Sequence, residues 1–420
     1  MIKIHIRLKN NAAGVVATFF LVFCILLGMS VLSPAHAGLL YVLNDSSDGN
    51  QIYGFRVDES TGALTPLSGF PVADGELGDQ STVSERLFYD SANSRLYVVD
   101  GGSNTVSAYS VDQSTGALTA LPFSPISLPA GIWLCLAVHP GGSPLVVGGS
   151  NSAASFSITA TTATAAAGSP FDTGAADPFS CAFSRDGNYF YAGGDSGSSF
   201  AGFSVDTGTG VLTGLAGTPF DSGNDYPLAY ATDLSGRLFL TNWNTNDVRV
   251  FTTSSGVPAA ASGNPFPSGL SQGIQGILHP SGFYMVADRG SDQVGVYQIS
   301  GTGAATTLTA VAGSPFLSGG SFTEALALNA SGNFLFAANG LDYNITTFAV
   351  NTSTGVLSGA TTQPQYTLGD AGIITGIAYA ADPPAPTAVP TVTEWGSIIF
   401  LILAGLGSVY YLKKQNTPEN

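Results

Sequence analysis

Short apolar runs recur from about residue 38 to residue 381, each broken by small and polar residues. Runs such as Leu96-Tyr-Val-Val99, Tyr189-Phe-Tyr-Ala192 and Phe334-Leu-Phe-Ala337 are too short for helices and read as buried strands. Between them stand four-residue turns: Asp90-Ser-Ala-Asn93, His139-Pro-Gly-Gly142, Ser184-Arg-Asp-Gly187, Asp233-Leu-Ser-Gly236, His279-Pro-Ser-Gly282 and Asn329-Ala-Ser-Gly332. They recur every 45 to 50 residues. The first side chain can hydrogen-bond the turn, and the last residue suits a positive φ. One apolar run precedes each turn and one follows it. A polar loop then leads to a third strand with an aromatic at a fixed place: Phe55, Tyr109, Phe156, Phe203, Phe251, Tyr297 and Phe348. Aromatics are only 10% of the chain, so this column fixes the register, and its rings belong to the core.

A fourth segment opens with Ser60-Thr-Gly-Ala-Leu-Thr65, Ser114-Thr-Gly-Ala-Leu-Thr119, Thr209-Gly-Val-Leu-Thr213 or Ser353-Thr-Gly-Val-Leu-Ser358. It often closes at a Gly-x-Pro-Phe box, as at Gly168 to Phe171, Gly217 to Phe220, Gly263 to Phe266 and Gly313 to Phe316. Four short strands in each such unit describe a propeller blade. The expected fold is therefore all-β, a seven-bladed propeller of four-stranded blades over residues 38–382. There are seven aromatic columns but only six turns, so the chain ends should share a blade. Residues 371–380 would supply its inner strand beside residues 38–44, closing the ring and removing an exposed sheet edge.

The two ends read differently. Lys3, Arg7 and Lys9 precede an apolar run and Ala35-His36-Ala37, the pattern of a signal peptide over residues 1–37, with an uncleaved anchor as the alternative. Residues 383–388 form a Pro-rich linker. From 397 to 412 the chain is apolar apart from two serines and two tyrosines, and Lys413 and Lys414 follow, which reads as a membrane helix with a cytoplasmic end. Residues 415–420 are a polar tail. The segment Val389-Pro-Thr-Val-Thr-Glu-Trp-Gly396 resembles the box of IPTL-type C-terminal sorting domains of Gram-negative bacteria, matching at Pro390, Thr391, Glu394, Trp395 and Gly396. The resemblance covers residues 389–414 and implies an exosortase-like processing enzyme as partner. The expected location is the periplasmic or outer side of the envelope, with membrane attachment at least transiently. The short basic end departs from the class.

A second resemblance spans the blades. Tyr-Val-Val-Asp at 97–100, the Ser-Thr-Gly-Ala-Leu-Thr segments and the Gly-Ser-Pro-Phe boxes are similar to the β-propeller lactonase family and its YVTN-type relatives. The resemblance implies the fold and, in some members, lactone hydrolysis or cycloisomerisation. The shared motifs are scaffold and name no reaction.

Charge and candidate chemistry refine the picture. Charged residues are only 10% of the chain, which disfavours long surface helices. Residues 38–382 hold seven arginines, no lysine and 26 acidic side chains, so phosphate backbones and phosphorylated lactones are disfavoured partners. Acidic loops such as 44–50 lack Ca²⁺-loop spacing, and no metal or cofactor is expected. His139 and His279 occupy the turn column and should be structural. Cys135 and Cys181 fall at opposite parities on neighbouring strands, so two separate buried thiols are expected rather than a bridge. A lactone-opening site needs a base and an oxyanion donor, and inner-strand starts are the place to seek them. Most of those positions are apolar. The exceptions are Glu85 with Arg86, expected as a salt bridge along a blade edge, and Glu324. These three are the catalytic candidates. The expected function is an envelope-anchored binding or scaffold module, with a lactonase or cycloisomerase as the alternative.

Overall fold

The computed structural model describes residues 38–81, 85–174, 178–194, 197–223, 226–253, 255–362 and 372–381. The expected leader, linker, sorting motif and apolar C-terminal span lie outside the described residues. No helix among the described residues is long and apolar enough to cross a membrane.

Residues 37–382 form one unit of seven antiparallel sheets, the blades of a propeller. In the second blade the strands are Leu87–Asp90, Arg95–Asp100, Thr105–Val111 and Leu118–Ala120, running in order from the channel outward. The aromatic column pairs with one position of each second strand, as in Leu96 with Tyr109, Phe190 with Phe203 and Leu335 with Phe348. These rings are buried between blades, where seven apolar clusters hold the ring together.

Ring closure follows the sequence reading. Ile373–Ala380 pairs antiparallel with the wholly buried Gly38–Asp45, from Leu39 opposite Ala380 to Asp45 opposite Ile373. Gln51–Val57 flanks Gly38–Asp45 on its other side. The last strand thus becomes the innermost strand of the first blade.

The blades differ from expectation in one respect. Among the described residues, six of the seven carry a fifth strand of two residues, such as Ile126–Ser127, Phe171–Asp172 or Phe266–Pro267. In the third blade the outer strand covers only Phe156 to Ile158 of the third strand, while Ser152 and Ala153 pair with Asp172 and Phe171. The Gly-x-Pro-Phe box makes the join. Its x side chain accepts the backbone N–H left between the two pairings: Ser169 Oγ from Ser155, 2.9 Å, Asn264 Oδ1 from Val250, 2.9 Å, and Ser314 Oγ from Val296, 2.8 Å. The box therefore finishes a blade edge that a single outer strand leaves half open.

The cysteines also differ. Cys135 and Cys181 form a disulfide, with Cα atoms 6.1 Å apart. Their opposite parity is what allows it. The two strands belong to different sheets packed face to face, so a residue on the back of the third blade meets one on the front of the fourth. Both cysteines sit in one interblade cluster with Ala137, Phe183 and Phe190.

Candidate active site in the axial channel

Five inner strands begin with a bulge, visible as a register slip between Trp133 and Cys135, Pro178 and Ser180, Pro227 and Ala229, Gly273 and Gln275, and Thr323 and Ala325. The strand Ile373–Ala380 slips at the same level, beside Leu43 and Asn44. The bulged residues are Leu134, Phe179, Leu228, Ile274, Glu324 and Thr375. Glu85 is their counterpart in the second blade, because Arg86 stands opposite Val99 where Cys135 stands opposite Gly148. A bulge re-aims its side chain. Two of the three sequence candidates thus occupy one structural position on blades separated by the first, each five residues ahead of its turn at Asp90 or Asn329.

Glu85 turns into the channel. Its Oε2 accepts a hydrogen bond from Ser180 Oγ at 2.8 Å and one from the Cys181 backbone N–H at 2.9 Å. Ser180 Oγ in turn accepts the Tyr230 N–H at 3.2 Å, which ties the second, fourth and fifth blades around one carboxyl. Burial pushes the Glu85 carboxyl up to about 8, against the lowering effect of these two donors.

Glu85 lies at the inner end of a cavity of about 520 Å³. The cavity runs along the inner strands to the turns at Asp90, His139-Pro140 and Arg185. Its wall mixes polar and apolar surface in near-equal parts, and Phe88, Ala137, Ala182, Ala231, Ile277, Ala327 and Ala378 form one apolar ring, a single residue from each blade. Gln275 adds a polar group near the inner end. Its Oε1 accepts the Leu326 N–H, which leaves the amide nitrogen as the donor available to the cavity. This volume and lining suit one small molecule. The described cavity reaches the end of the channel where inner strands finish, not the mouth where chemistry was expected.

Arg86 does not join Glu85. Neighbouring residues of a strand face opposite ways, and Arg86 is fully buried between blades, 3.0 Å from Asp45 and 2.7 Å from Asp79. The expected Glu85–Arg86 salt bridge is therefore replaced by an Arg86–Asp45–Asp79 cluster. Burial still lifts Asp45 to about 6, although the Arg86 charge opposes that rise.

Glu324 is fully buried and pairs with Arg289, Nε to Oε1 3.2 Å. Burial raises its carboxyl to about 7, with Arg289 opposing. His139 and His279 hold turns, as their column suggested. His279 Nδ1 accepts the Ser281 N–H at 3.0 Å, so Nε2 carries the proton donated to Gly332 O at 2.9 Å in the next blade. His139 Nδ1 likewise accepts the Gly141 N–H at 2.9 Å. Among the described residues no group of three or more His, Cys, Asp or Glu side chains is placed to hold a metal ion.

The family described as "Lactonase, 7-bladed beta-propeller" matches residues 223–369. The chain carries a lactonase-like seven-bladed propeller. Solved structures agree on the fold of this lactonase-like propeller. A Bacteroides uniformis protein provisionally named a 6-phosphogluconolactonase is 17% identical, with a TM-score of 0.65 over 82% of this chain and 100% of that one. A periplasmic gluconolactonase of Pseudomonas aeruginosa is 18% identical, with a TM-score of 0.65 over 83% and 100%. A Desulfotomaculum acetoxidans protein of unknown function is 16% identical, with a TM-score of 0.62 over 82% and 99%. At these identities the likeness concerns architecture alone. No curated protein matches the sequence.

Sequence reasoning missed Ser180, Gln275 and Arg289 in this lactonase-like propeller. Gln275 had a usable signal: aligned on the turns, its column otherwise holds Arg86, Cys135, Ser180, Ala229, Ala325 and Gly376. Ser180 and Arg289 had none, because their partners lie on other blades.

Proposed function

We propose that the propeller hydrolyses a small, unphosphorylated lactone in the axial cavity, with Glu85 handling the proton. One observation carries this reading: a carboxyl that lines the axial cavity without a cation beside it, and that burial pushes up to about 8. A group that exchanges its proton close to working pH is suited to general base and acid catalysis. Ionised Glu85 takes a proton from water as the water oxygen attacks the ester carbonyl. The Gln275 amide donates to the oxyanion that develops. As the ring C–O bond breaks, Glu85 returns the proton to the leaving oxygen, and a hydroxy acid results. Lactonase-type family membership supports the reaction class, and the strongly acidic propeller supports a substrate without phosphate.

The test is hydrolysis of a panel of lactones by the full-length chain and by Glu85→Gln. The native protein should show a rate that rises with pH and levels off above about 8, since the base form is required. Glu85→Gln should lose roughly 10²- to 10⁴-fold and the pH dependence with it. Equal rates for the two proteins would sink the assignment. The second reading, a binding or scaffold module, draws on the apolar ring of the cavity wall; it gains if a ligand binds there and no lactone is opened.

We also propose that the propeller works outside the cytoplasmic membrane, exported by its leader and anchored through residues 389–414 after recognition by an exosortase-like enzyme. Support comes from the sequence patterns at both ends. Deleting residues 389–420 should release the protein from the cell; unchanged cell association would remove the anchoring claim.

A further inference from the structure

The end of the channel where inner strands begin holds a second constellation that the reaction at Glu85 does not use. Arg289 follows the strand Phe283–Asp288, and its guanidinium carbon lies 4.4 Å from the Phe322 ring centroid and 5.7 Å from that of Trp243. Its Nε meets Glu324 Oε1, while Nη1 and Nη2 have no protein acceptor among the described residues. The side chain remains 15% exposed. Glu324 is fully buried, and its Oε2 has no partner among the described residues. Thr375, at the same bulge position of the adjoining strand, is also fully buried, and its hydroxyl has no partner among the described residues. A buried carboxyl oxygen and hydroxyl left unpaired are costly, so their retention asks for a reason.

The surroundings are built. Phe322 has φ +60°, a rare conformation for an aromatic residue. Its N–H is held by Asp292 Oδ1 at 2.6 Å and its carbonyl by the Gly340 N–H at 2.7 Å. Gly340 is required there: a Cβ would stand 2.8 Å from Glu324 Cγ and 3.2 Å from Ile373 Cγ1. Side chains that stack on a guanidinium fix its plane and leave its outer edge to pair with a planar anion.

We propose that Arg289, Glu324 and Thr375 form a binding site for a small monocarboxylate, taken up together with one proton. The ligand carboxylate pairs with the Nη edge of Arg289, and the proton lands on Glu324, which ceases to compete for the guanidinium and donates a hydrogen bond instead. A phosphate dianion is the wrong partner, because a single arginine in so acidic a propeller cannot balance it. Among the described residues Arg289 is the one charge acting on the Glu324 carboxyl, which burial raises to about 7. The acids on the flanking loops are committed elsewhere: Asp288 accepts from the Ser271, Gln272 and Gly290 N–H groups, Asp292 from Phe322 and Asp342 from Ser321. The adjoining residues Ile373 and Ile374 bring no charge.

Binding needs no turnover, so this site stands or falls independently of Glu85. The experiment is calorimetric titration of the full-length chain with gluconate at pH 6 and pH 8, with glucose as the uncharged control. Linkage to one group near 7 predicts binding about tenfold tighter at pH 6. Arg289→Met should abolish it. Glu324→Gln should bind with the pH dependence gone, and Glu85→Gln should keep both the binding and its pH dependence. The proposal is overturned if gluconate fails to bind the native chain, if glucose binds equally well, if Arg289→Met binds as the native protein does, or if the pH dependence survives in Glu324→Gln.

Discussion

Glu85 and Glu324 occupy equivalent positions on two blades, and their surroundings make them different groups. Both are lifted by burial, Glu85 to about 8 and Glu324 to about 7. Glu85 faces the axial cavity and is steadied by a hydroxyl and a backbone N–H from another blade, with no cation beside it among the described residues. Glu324 faces a guanidinium supplied by a loop of the sixth blade. The other five blades fill the position with Leu134, Phe179, Leu228, Ile274 and Thr375. The repeat thus supplies seven equivalent places, and contacts between blades decide which carry chemistry. Scaffold motifs and site residues are written in separate parts of each repeat.

The sharpest way to break the comparison is through Arg86, the residue after Glu85. Its burial against Asp45 and Asp79 assigns it to structure. Arg86→Met should leave Asp45 buried without its counter-ion and cost about 3–5 kcal/mol in denaturant unfolding. Arg289→Met strips one partner from the buried Glu324 where Arg86→Met strips both Asp45 and Asp79, so it should cost less. Equal losses would show that the two arginines are not divided between structure and binding as argued. Next in size is the disulfide. Cys135 and Cys181 are 46 residues apart in sequence, and removing the bridge with a double Cys→Ala variant should cost about 2–4 kcal/mol. The Cys181 donor to Glu85 is a backbone N–H, which alanine keeps, so the same variant should leave the pH–rate profile of the native protein in place. A variant with lower stability but an unmoved profile would separate the bridge from the site.

Much of this architecture is legible from the sequence because it repeats. The aromatic column, the turns and the closure by residues 371–380 each recur or follow from counting, and the two turn histidines declare themselves by their column. What is not legible depends on contact between repeats. Parity arguments within one sheet predict separated thiols at Cys135 and Cys181, whereas two sheets packed face to face bring opposite parities together. Bulges insert a residue into the other inner strands at this level, so simple alternation cannot tell which way Glu85 points or show that Arg86 points elsewhere. Asp79 reaches Arg86 from a loop that carries no periodic signal. The fifth strand is hidden because Gly-x-Pro-Phe reads as the end of a blade, while its x side chain completes a ladder.

The finest test of the comparison is the pH dependence of stability. A carboxyl whose pKa rises on folding favours its protonated form in the native state. Between the ordinary glutamate value of 4.5 and about 8, the unfolded chain has released the Glu85 proton while the folded chain keeps it. Native stability therefore falls as pH rises through this window, by at most about 1.4 kcal/mol per pH unit from this residue. Above about 8 both states are ionised and the loss levels off. Glu85→Gln lacks the penalty, so it should be more stable than the native protein, by a margin that grows from pH 5 to pH 8. Glu324→Gln should show a narrower window, closing near 7. Asp45 and Asp74, both lifted to about 6, lower the stability of every variant alike and cancel in the differences. Paired thermal unfolding at pH 5, 6, 7 and 8 reads these margins directly. A flat difference for Glu85→Gln would mean that the carboxyl is solvated and unshifted, and a solvated carboxyl is poorly suited to exchange protons with water at neutral pH. A growing difference would show a group kept at the expense of stability, the usual mark of a residue retained for what it does rather than for what it holds together.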